Sequence, residues 1–123
     1  MEAWRKTGDL RFTAFGLKSL GIGAVTIGKF DEARAALEES IAINTAVGDC
    51  WCLANAYLVL GMTERAQEQH TLALDAFWQC QQIFTDLGAR WEMTRVLSEM
   101  GRSTFALEND AEAERLWRES LRP

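Results

Sequence analysis

The chain has 123 residues, of which 48% are hydrophobic and 25% are charged, and its formal net charge is −5. This length suits about one domain, and the acidic balance argues against nucleic-acid binding as the main role, since phosphate-backbone binding needs dense Lys/Arg surfaces. No stretch reaches the ~18 consecutive apolar residues of a membrane span, and the start MEAWRKTGDL lacks the apolar core of a signal peptide. The three cysteines lack framework spacing, so we expect a reducing, cytoplasmic location.

The chain repeats itself with a period of forty residues. Glycines recur at this spacing in two series, which are Gly8, Gly48, Gly88 and Gly21, Gly61, Gly101. Other small or bulky residues keep the same step: Ala33, Ala73, Ala113, then Leu37, Phe77, Trp117, then Ser40, Cys80, Ser120. Such a period is the mark of a repeat architecture. We therefore divide the chain into units at 9–48, 49–88 and 89–123, with 1–8 as the tail of a preceding unit.

Each unit is predicted to be a pair of antiparallel helices. Apolar residues between Leu53 and Gly61 recur at helical spacing and form a stripe on one face. A second stripe from Ala73 to Leu87 follows in the same unit. In chain order, we predict helices at 9–27 and 31–47, at 49–66 and 71–87, and at 89–106 and 110–121.

Helix ends can be placed from capping residues. Gly48 and Gly88 stand where helices should end, because glycine adopts the left-handed cap conformation without a Cβ penalty. Asp9 and Asp49 follow glycines and are predicted to cap the next helices. Asn109 begins a capping-box pattern, which predicts the start of the last helix there.

Gly61 lies in the middle of a predicted helix, where glycine costs ~0.5–1 kcal/mol relative to alanine. Glycine recurs at the equivalent positions Gly21 and Gly101. This recurrence implies that another helix approaches the backbone closely at these positions. We expect the small Ala73 of the following helix to make this approach.

These residues resemble the tetratricopeptide repeat, whose helix pair carries a large–x–x–large–small pattern followed by alanine, a large residue and a small residue. The matching positions are Leu17, Leu20, Gly21, Ala33, Leu37, Ser40; Tyr57, Leu60, Gly61, Ala73, Phe77, Cys80; and Leu97, Met100, Gly101, Ala113, Trp117, Ser120. The resemblance implies an all-α fold, an α-α superhelix (a solenoid) of about three helix-turn-helix repeats. The unit is longer than the usual ~34 residues, and the helix-ending proline of the family is absent.

Forty-residue units joined by "GD" resemble arrays in large bacterial multidomain regulators, and similar units occur in animal adaptor proteins. The resemblance therefore implies a non-enzymatic protein-interaction module without a cofactor, within a larger signalling or transcription regulator. A chain that starts inside one unit and ends without a polar capping element is expected to be a fragment. The alternative is a structural spacer or a homo-oligomerisation module that self-associates through its terminal helices.

By the same resemblance, the ligand would lie in the concave groove formed by the first helix of each unit. The implied groove residues are Phe15, Lys18, Ile22 and Val25, then Asn55, Leu58, Met62 and Arg65, then Arg95, Ser98, Arg102 and Phe105. This mixture of apolar and basic residues suits an amphipathic helix or a peptide bearing carboxylates, and neither nucleic acid nor a membrane.

Two features of the groove leave other interpretations open. Ile22, Val59 and Glu99 occupy positions where the carboxylate clamps of the family have polar or basic residues, which argues against a chaperone-type clamp. The arginines could instead pair with Glu64 or Glu99. The apolar residues could be covered by neighbouring repeats or by self-association.

The residues capable of chemistry do not form a recognisable site. Cys50 and Cys52 are two apart, so on a helix they point about 200° away from each other and cannot share a metal ion. We therefore interpret them, with Cys80, as small packing residues. His70 is the single histidine, and no nucleophile can be tied to it by spacing, so we expect neither catalysis nor metal binding.

Overall fold

Five α-helices form the fold of the residues that the computed structural model describes, which are 2–120 for the backbone and 8–108 for the side chains. In chain order they are α1 (Glu2–Thr26), α2 (Phe30–Val47), α3 (Cys50–Ala66), α4 (His70–Leu87) and α5 (Arg90–Ser120). No strand occurs between residues 2 and 120, which confirms the all-α class. None of the described helices is long and apolar enough to cross a membrane.

The turns between helices are spaced by twenty residues and share one geometry. Each is centred on a residue in the left-handed conformation: Gly28 (φ 80°), Gly48 (φ 73°), Glu68 (φ 61°) and Gly88 (φ 69°). At the second turn, the Gly48 amide donates to the Thr45 carbonyl (3.3 Å) and the Asp49 amide donates to the Asn44 carbonyl (3.0 Å). This pair of hydrogen bonds is the Schellman motif, which satisfies carbonyls at the helix end. The predicted caps at Gly48 and Gly88 are confirmed.

The predicted N-cap at Asp49 is also confirmed, whereas the one at Asp9 is wrong. The Asp49 carboxylate accepts a hydrogen bond from the Cys52 amide (3.1 Å) at the start of α3. Asp9 lies inside α1, where its carbonyl accepts a hydrogen bond from the Thr13 hydroxyl (2.9 Å). Gly8 does not interrupt α1, because one interior glycine costs only ~1 kcal/mol, less than the loss of a helical turn.

The third helix pair is not formed. We expected a break near 107–109 and a separate helix at 110–121, but α5 continues without interruption to Ser120. Position 108 is twenty residues beyond Gly88 and holds glutamate, for which the left-handed conformation is costly. At Glu68 the packing of α4 against α3 offsets this cost, whereas no helix follows α5 among the described residues. A helix N-cap at Asn109 is therefore wrong, and the side chain of this residue lies outside the described ones. The described chain thus forms two helical hairpins followed by one long helix.

Glycines in α1 and α3 admit bulky side chains from the paired helices. A Cβ added to Gly61 would lie 2.5 Å from the ring of Phe77, and a Cβ on Gly21 would lie 2.8 Å from Cγ of Leu37. Real Cβ atoms do not approach other atoms this closely. The predicted close approach is therefore present at Gly21 and Gly61, although its partner at Gly61 is Phe77 and not Ala73. At Gly101 the prediction is wrong, since no described atom lies within 4 Å of an added Cβ.

The core follows from these contacts. Ala54, Ala73, Phe77 and Cys80 are fully buried together between α3 and α4, and Val96 of α5 adds to the same cluster. Small residues let the helices approach at these positions, as predicted for Cys80. Its counterpart in the first hairpin, Ser40, is also buried, and its hydroxyl donates to a backbone carbonyl of α1 (2.8 Å).

Helix contacts extend from one hairpin to the next. Each helix packs against the helix that follows it in the chain, and α3 also contacts both α1 and α5. By contrast, α2 (30–47) and α4 (70–87) do not contact each other. Helices α1, α3 and α5 consequently lie side by side.

We predict that Gly61→Ala lowers the free energy of unfolding by about 1–3 kcal/mol, because the added methyl group overlaps the Phe77 ring. Gly23→Ala is the matched control, since no described atom lies within 4 Å of a Cβ at this α1 position. This control should gain ~0.5–1 kcal/mol from helix propensity. Urea unfolding followed by circular dichroism measures both, and equal effects would contradict the proposed packing.

Replacing Glu68 with glycine is expected to stabilise the protein by about 0.5–1 kcal/mol. The residue has φ 61°, a conformation that costs a side chain with a Cβ roughly 1–2 kcal/mol, partly offset by the greater freedom of glycine in the unfolded chain. Gly88→Ala, at the equivalent position of the next turn, should have the opposite sign. A destabilised Glu68→Gly variant in thermal or urea unfolding would argue against a left-handed residue in this turn.

Candidate functional site

A cleft of about 310 Å³ lies where α1, α3 and α5 meet. Its lining is mostly apolar, with one arginine contributed by α5: Ile22, Val25, Thr26, Val59, Met62, Thr63 and Arg95. Thr63 is buried, and its hydroxyl donates to the Val59 carbonyl (2.8 Å). The threonine hydroxyl is thus satisfied within α3, which leaves the guanidinium of Arg95 as the charged group of the cleft.

The cleft brings together four residues of the predicted groove, which are Ile22, Val25, Met62 and Arg95. The predicted set of groove residues did not include Thr26, Val59 and Thr63, although Val59 occupies a clamp position of the family pattern. Helical spacing could have found the last two, because Val59 is three residues before Met62 and four before Thr63, and residues so spaced share a face. Thr26 is similarly four residues after Ile22.

Leu58 does not lie at the surface. It is 5% exposed and belongs to the core between α3 and α4. It follows Ala54 by four residues and precedes Gly61 by three, and both of these face α4. Leu58 therefore shares the buried stripe of α3 and offers no surface to a ligand.

Ion pairs engage two of the predicted basic residues. The guanidinium of Arg65 pairs with the carboxylate of Glu99, which links α3 to α5, and Arg102 lies 3.9 Å from the same carboxylate. The alternative interpretation, in which groove arginines pair with Glu99, thus describes Arg65 and Arg102. Arg95 makes no ion pair within 4.0 Å among the described side chains 8–108.

The Glu64 carboxylate, in contrast, is turned away from the cleft residues and toward α2. It accepts two hydrogen bonds from the Arg34 guanidinium (2.8 and 2.9 Å). This bidentate contact raises the pKa of Arg34 and joins the two hairpins. Glu64 itself is almost fully buried.

The remaining predicted groove residues lie outside the cleft lining. On α1, the ammonium of Lys18 stacks over the ring of Phe15, 4.9 Å from its centroid. The side-chain amide of Asn55 donates to the Trp51 carbonyl (3.0 Å) within α3. On α5, Ser98 and Phe105 are exposed.

A second and larger cleft, of about 460 Å³, opens between α2, α3 and α4. It was not predicted, and its charged residues include the Arg34–Glu64 pair together with the carboxylates of Glu38 and Asp75. The Arg34 guanidinium in this cleft is already hydrogen-bonded to the Glu64 carboxylate. Among the described side chains, this cleft therefore has no unpaired cation comparable to Arg95, and it is the weaker candidate for binding a carboxylate.

The thiols differ in environment. Cys50 is exposed, Cys52 is half-buried and Cys80 is fully buried. Burial, reinforced by the Asp49 carboxylate, raises the pKa of Cys52, and burial raises the pKa of Cys80 to about 12. Neither thiol is activated as a nucleophile at neutral pH, because the thiolate is the reactive form. Cys80 packs in the core as expected, whereas the exposed Cys50 does not.

His70 is the first residue of α4 and is half-buried. Its Nδ1 atom is buried without a hydrogen-bond partner among the described groups. Within the described part of the chain, no group of three or more His, Cys, Asp or Glu residues is placed to hold a metal ion.

Comparison with known proteins does not assign a function to this cleft. The chain matches no protein-family model, and no curated protein has a significantly similar sequence. The cleft between α1, α3 and α5 is therefore interpreted from its own residues.

We predict that the free energy of unfolding falls by up to about 1.4 kcal/mol per pH unit above pH ~9 through Cys80 alone. The folded thiol has a pKa of about 12 and the unfolded one about 9.0, so the unfolded chain loses this proton first and is favoured as the pH rises. Cys80→Ala removes the effect and should flatten the pH dependence between 9 and 11. Identical slopes for the two proteins would show that Cys80 ionises as readily in the folded state.

Proposed function

We propose that this chain is a non-enzymatic protein-interaction module that binds a peptide or helix in the cleft between α1, α3 and α5. The observation that carries the proposal is the position of Arg95, a cation without an ion-pair partner among the described side chains, beside an apolar lining. Since the chain has a net charge of −5, such a cation is suited to a carboxylate from another molecule.

The lining defines the chemistry of the ligand. Ile22, Val25 and Met62 offer apolar contacts on two helices, and Arg95 offers a charge on a third. A ligand that satisfies both would carry an apolar side chain and, about one helical turn away, an Asp or Glu. Amphipathic helices present this pattern at i and i+3 or i+4. The cleft volume is at the lower end of the ~300–1,000 Å³ of ligand pockets, so it would hold an anchoring portion of a longer segment.

The helix contacts support an interaction surface on this side. Helix α3 contacts both α1 and α5, whereas α2 and α4 do not touch each other within the described residues. Such an arrangement favours a stack that curves toward α1, α3 and α5, as the resemblance to tetratricopeptide repeats implies. We propose on this basis a solenoid within a larger cytoplasmic signalling or transcription regulator, with the cleft at the centre of its concave face.

We predict that Arg95→Glu weakens binding of an acidic amphipathic peptide by about tenfold or more, because a charge-assisted hydrogen bond is replaced by repulsion. The probe is a peptide selected from a phage-displayed library against the chain, and fluorescence anisotropy measures its affinity. Selected sequences should combine apolar residues with Asp or Glu at helical spacing.

Lys29→Glu is the matched control, because it makes the same change in net charge at an exposed residue of the turn between α1 and α2. Ile22→Glu tests the apolar wall at a residue that is 46% exposed, so the fold should tolerate it. Unchanged affinity of Arg95→Glu and Ile22→Glu, with helical circular dichroism retained, would contradict binding in this cleft.

A further inference from the structure

The cleft between α2, α3 and α4 is a groove between two helices that do not touch. Helix α3 contacts both α2 and α4, whereas α2 and α4 make no contact with each other within the described residues. The floor of the cleft is therefore α3, and its walls are α2 and α4. The cavity between them, of about 460 Å³, lies within the ~300–1,000 Å³ of ligand pockets. It has room for side chains of another molecule.

The floor and one wall of this cleft supply apolar surface. On α3, Tyr57 and Leu60 line the cleft and are half-buried. On α4, Leu72 is 50% exposed, and the buried Ala76 lies one helical turn further along the lining. An apolar side chain that entered the cleft would lose contact with water against both helices, which favours binding.

The charges of the cleft are unbalanced toward the acidic side. Arg34 is the one cation of the described lining, and its guanidinium donates two hydrogen bonds to the carboxylate of Glu64. Two further carboxylates line the cleft, Glu38 on α2 and Asp75 on α4. Both are exposed, and neither makes an ion pair within 4.0 Å among the described side chains. Each wall therefore offers a carboxylate to a cation from another molecule.

This cleft and the one between α1, α3 and α5 use different faces of α3. Tyr57 and Glu64 line the acidic cleft, whereas Val59 and Thr63 line the other. At 3.6 residues per turn, the two pairs are centred about 130° apart round the helix. The two clefts are therefore separate surfaces, and one can be altered without the other.

We infer that the cleft between α2, α3 and α4 docks a basic amphipathic segment of another protein. Charge complementarity selects the cation: an Arg or Lys of the segment binds the carboxylates of Glu38 and Asp75. An apolar side chain about one helical turn away contacts Tyr57, Leu60 and Leu72. Arginine suits the site best, because its planar guanidinium binds carboxylates and also stacks on aromatic rings. This docking does not depend on ligand binding in the cleft between α1, α3 and α5.

A phage-displayed peptide library selected on the unmodified chain tests the inference. Phage that bind the chain carrying Glu38→Gln and Asp75→Asn are removed first, so that the remaining binders depend on these two carboxylates. The recovered sequences should carry Arg or Lys three or four residues from an apolar side chain. A recovered pool without this enrichment would overturn the inference.

Fluorescence anisotropy with the most enriched peptide then measures the contribution of the two carboxylates. Glu38→Gln with Asp75→Asn should weaken binding by about tenfold or more, because charge-assisted hydrogen bonds are lost. Glu39→Gln with Asp86→Asn is the matched control, since it makes the same changes on α2 and α4 at exposed residues outside the lining. Equal losses in the two variants would show attraction to the overall negative charge and would overturn docking in the cleft.

Leu72→Ser tests the apolar part of the site with the same peptide. Affinity should fall by about fivefold, because a half-exposed leucine loses its contact with the ligand. Leu87→Ser is the control, since this leucine is 46% exposed on the same helix and lies outside the lining. Unchanged affinity of Leu72→Ser, with helical circular dichroism retained, would overturn the amphipathic mode of docking.

Discussion

The missing Cβ of Gly61 is the feature on which the packing of this chain depends. It allows the ring of Phe77 to lie against the backbone of α3, at a distance that any other residue would prevent. The same contact joins Gly21 and Leu37 in the first hairpin. Because each contact fixes how closely two helices approach, it also aligns the small buried residues that complete the interface, such as Ala54 and Cys80.

The cleft is a consequence of this packing. With both hairpins fixed, α3 packs against α2 and also contacts α1 and α5. Two ion pairs reinforce the arrangement, one between Arg34 and Glu64 and one between Arg65 and Glu99. The first pair joins the two hairpins and the second joins α3 to α5, and neither pair engages Arg95. Arg95 is left facing an apolar lining, and this imbalance of charge is the basis of the proposed recognition.

Much of the fold could be predicted from the glycine period, but not the position of every turn. Gly48 and Gly88 act as caps because local sequence and local geometry agree there. The turn at Glu68 was predicted between the helices at 49–66 and 71–87. Its left-handed geometry was not, since glutamate takes this conformation only when the packing of α4 against α3 offsets its cost. No turn forms at Gly8 or Glu108. Helices α1 and α5 continue through these positions. The site was predicted only in part for a related reason: Leu58 and Met62 are one turn apart, yet Leu58 faces α4 and Met62 lines the cleft.

The proposed function depends on whether a ligand contacts the face formed by α1, α3 and α5. The most direct measurement is an NMR titration of the ¹⁵N-labelled chain with a selected acidic amphipathic peptide. Binding in the cleft predicts that the largest amide shift changes cluster at Ile22, Val25, Met62 and Arg95. Shift changes centred instead on Leu72, Asp75 and Gln79, which line the cleft between α2, α3 and α4, would contradict it.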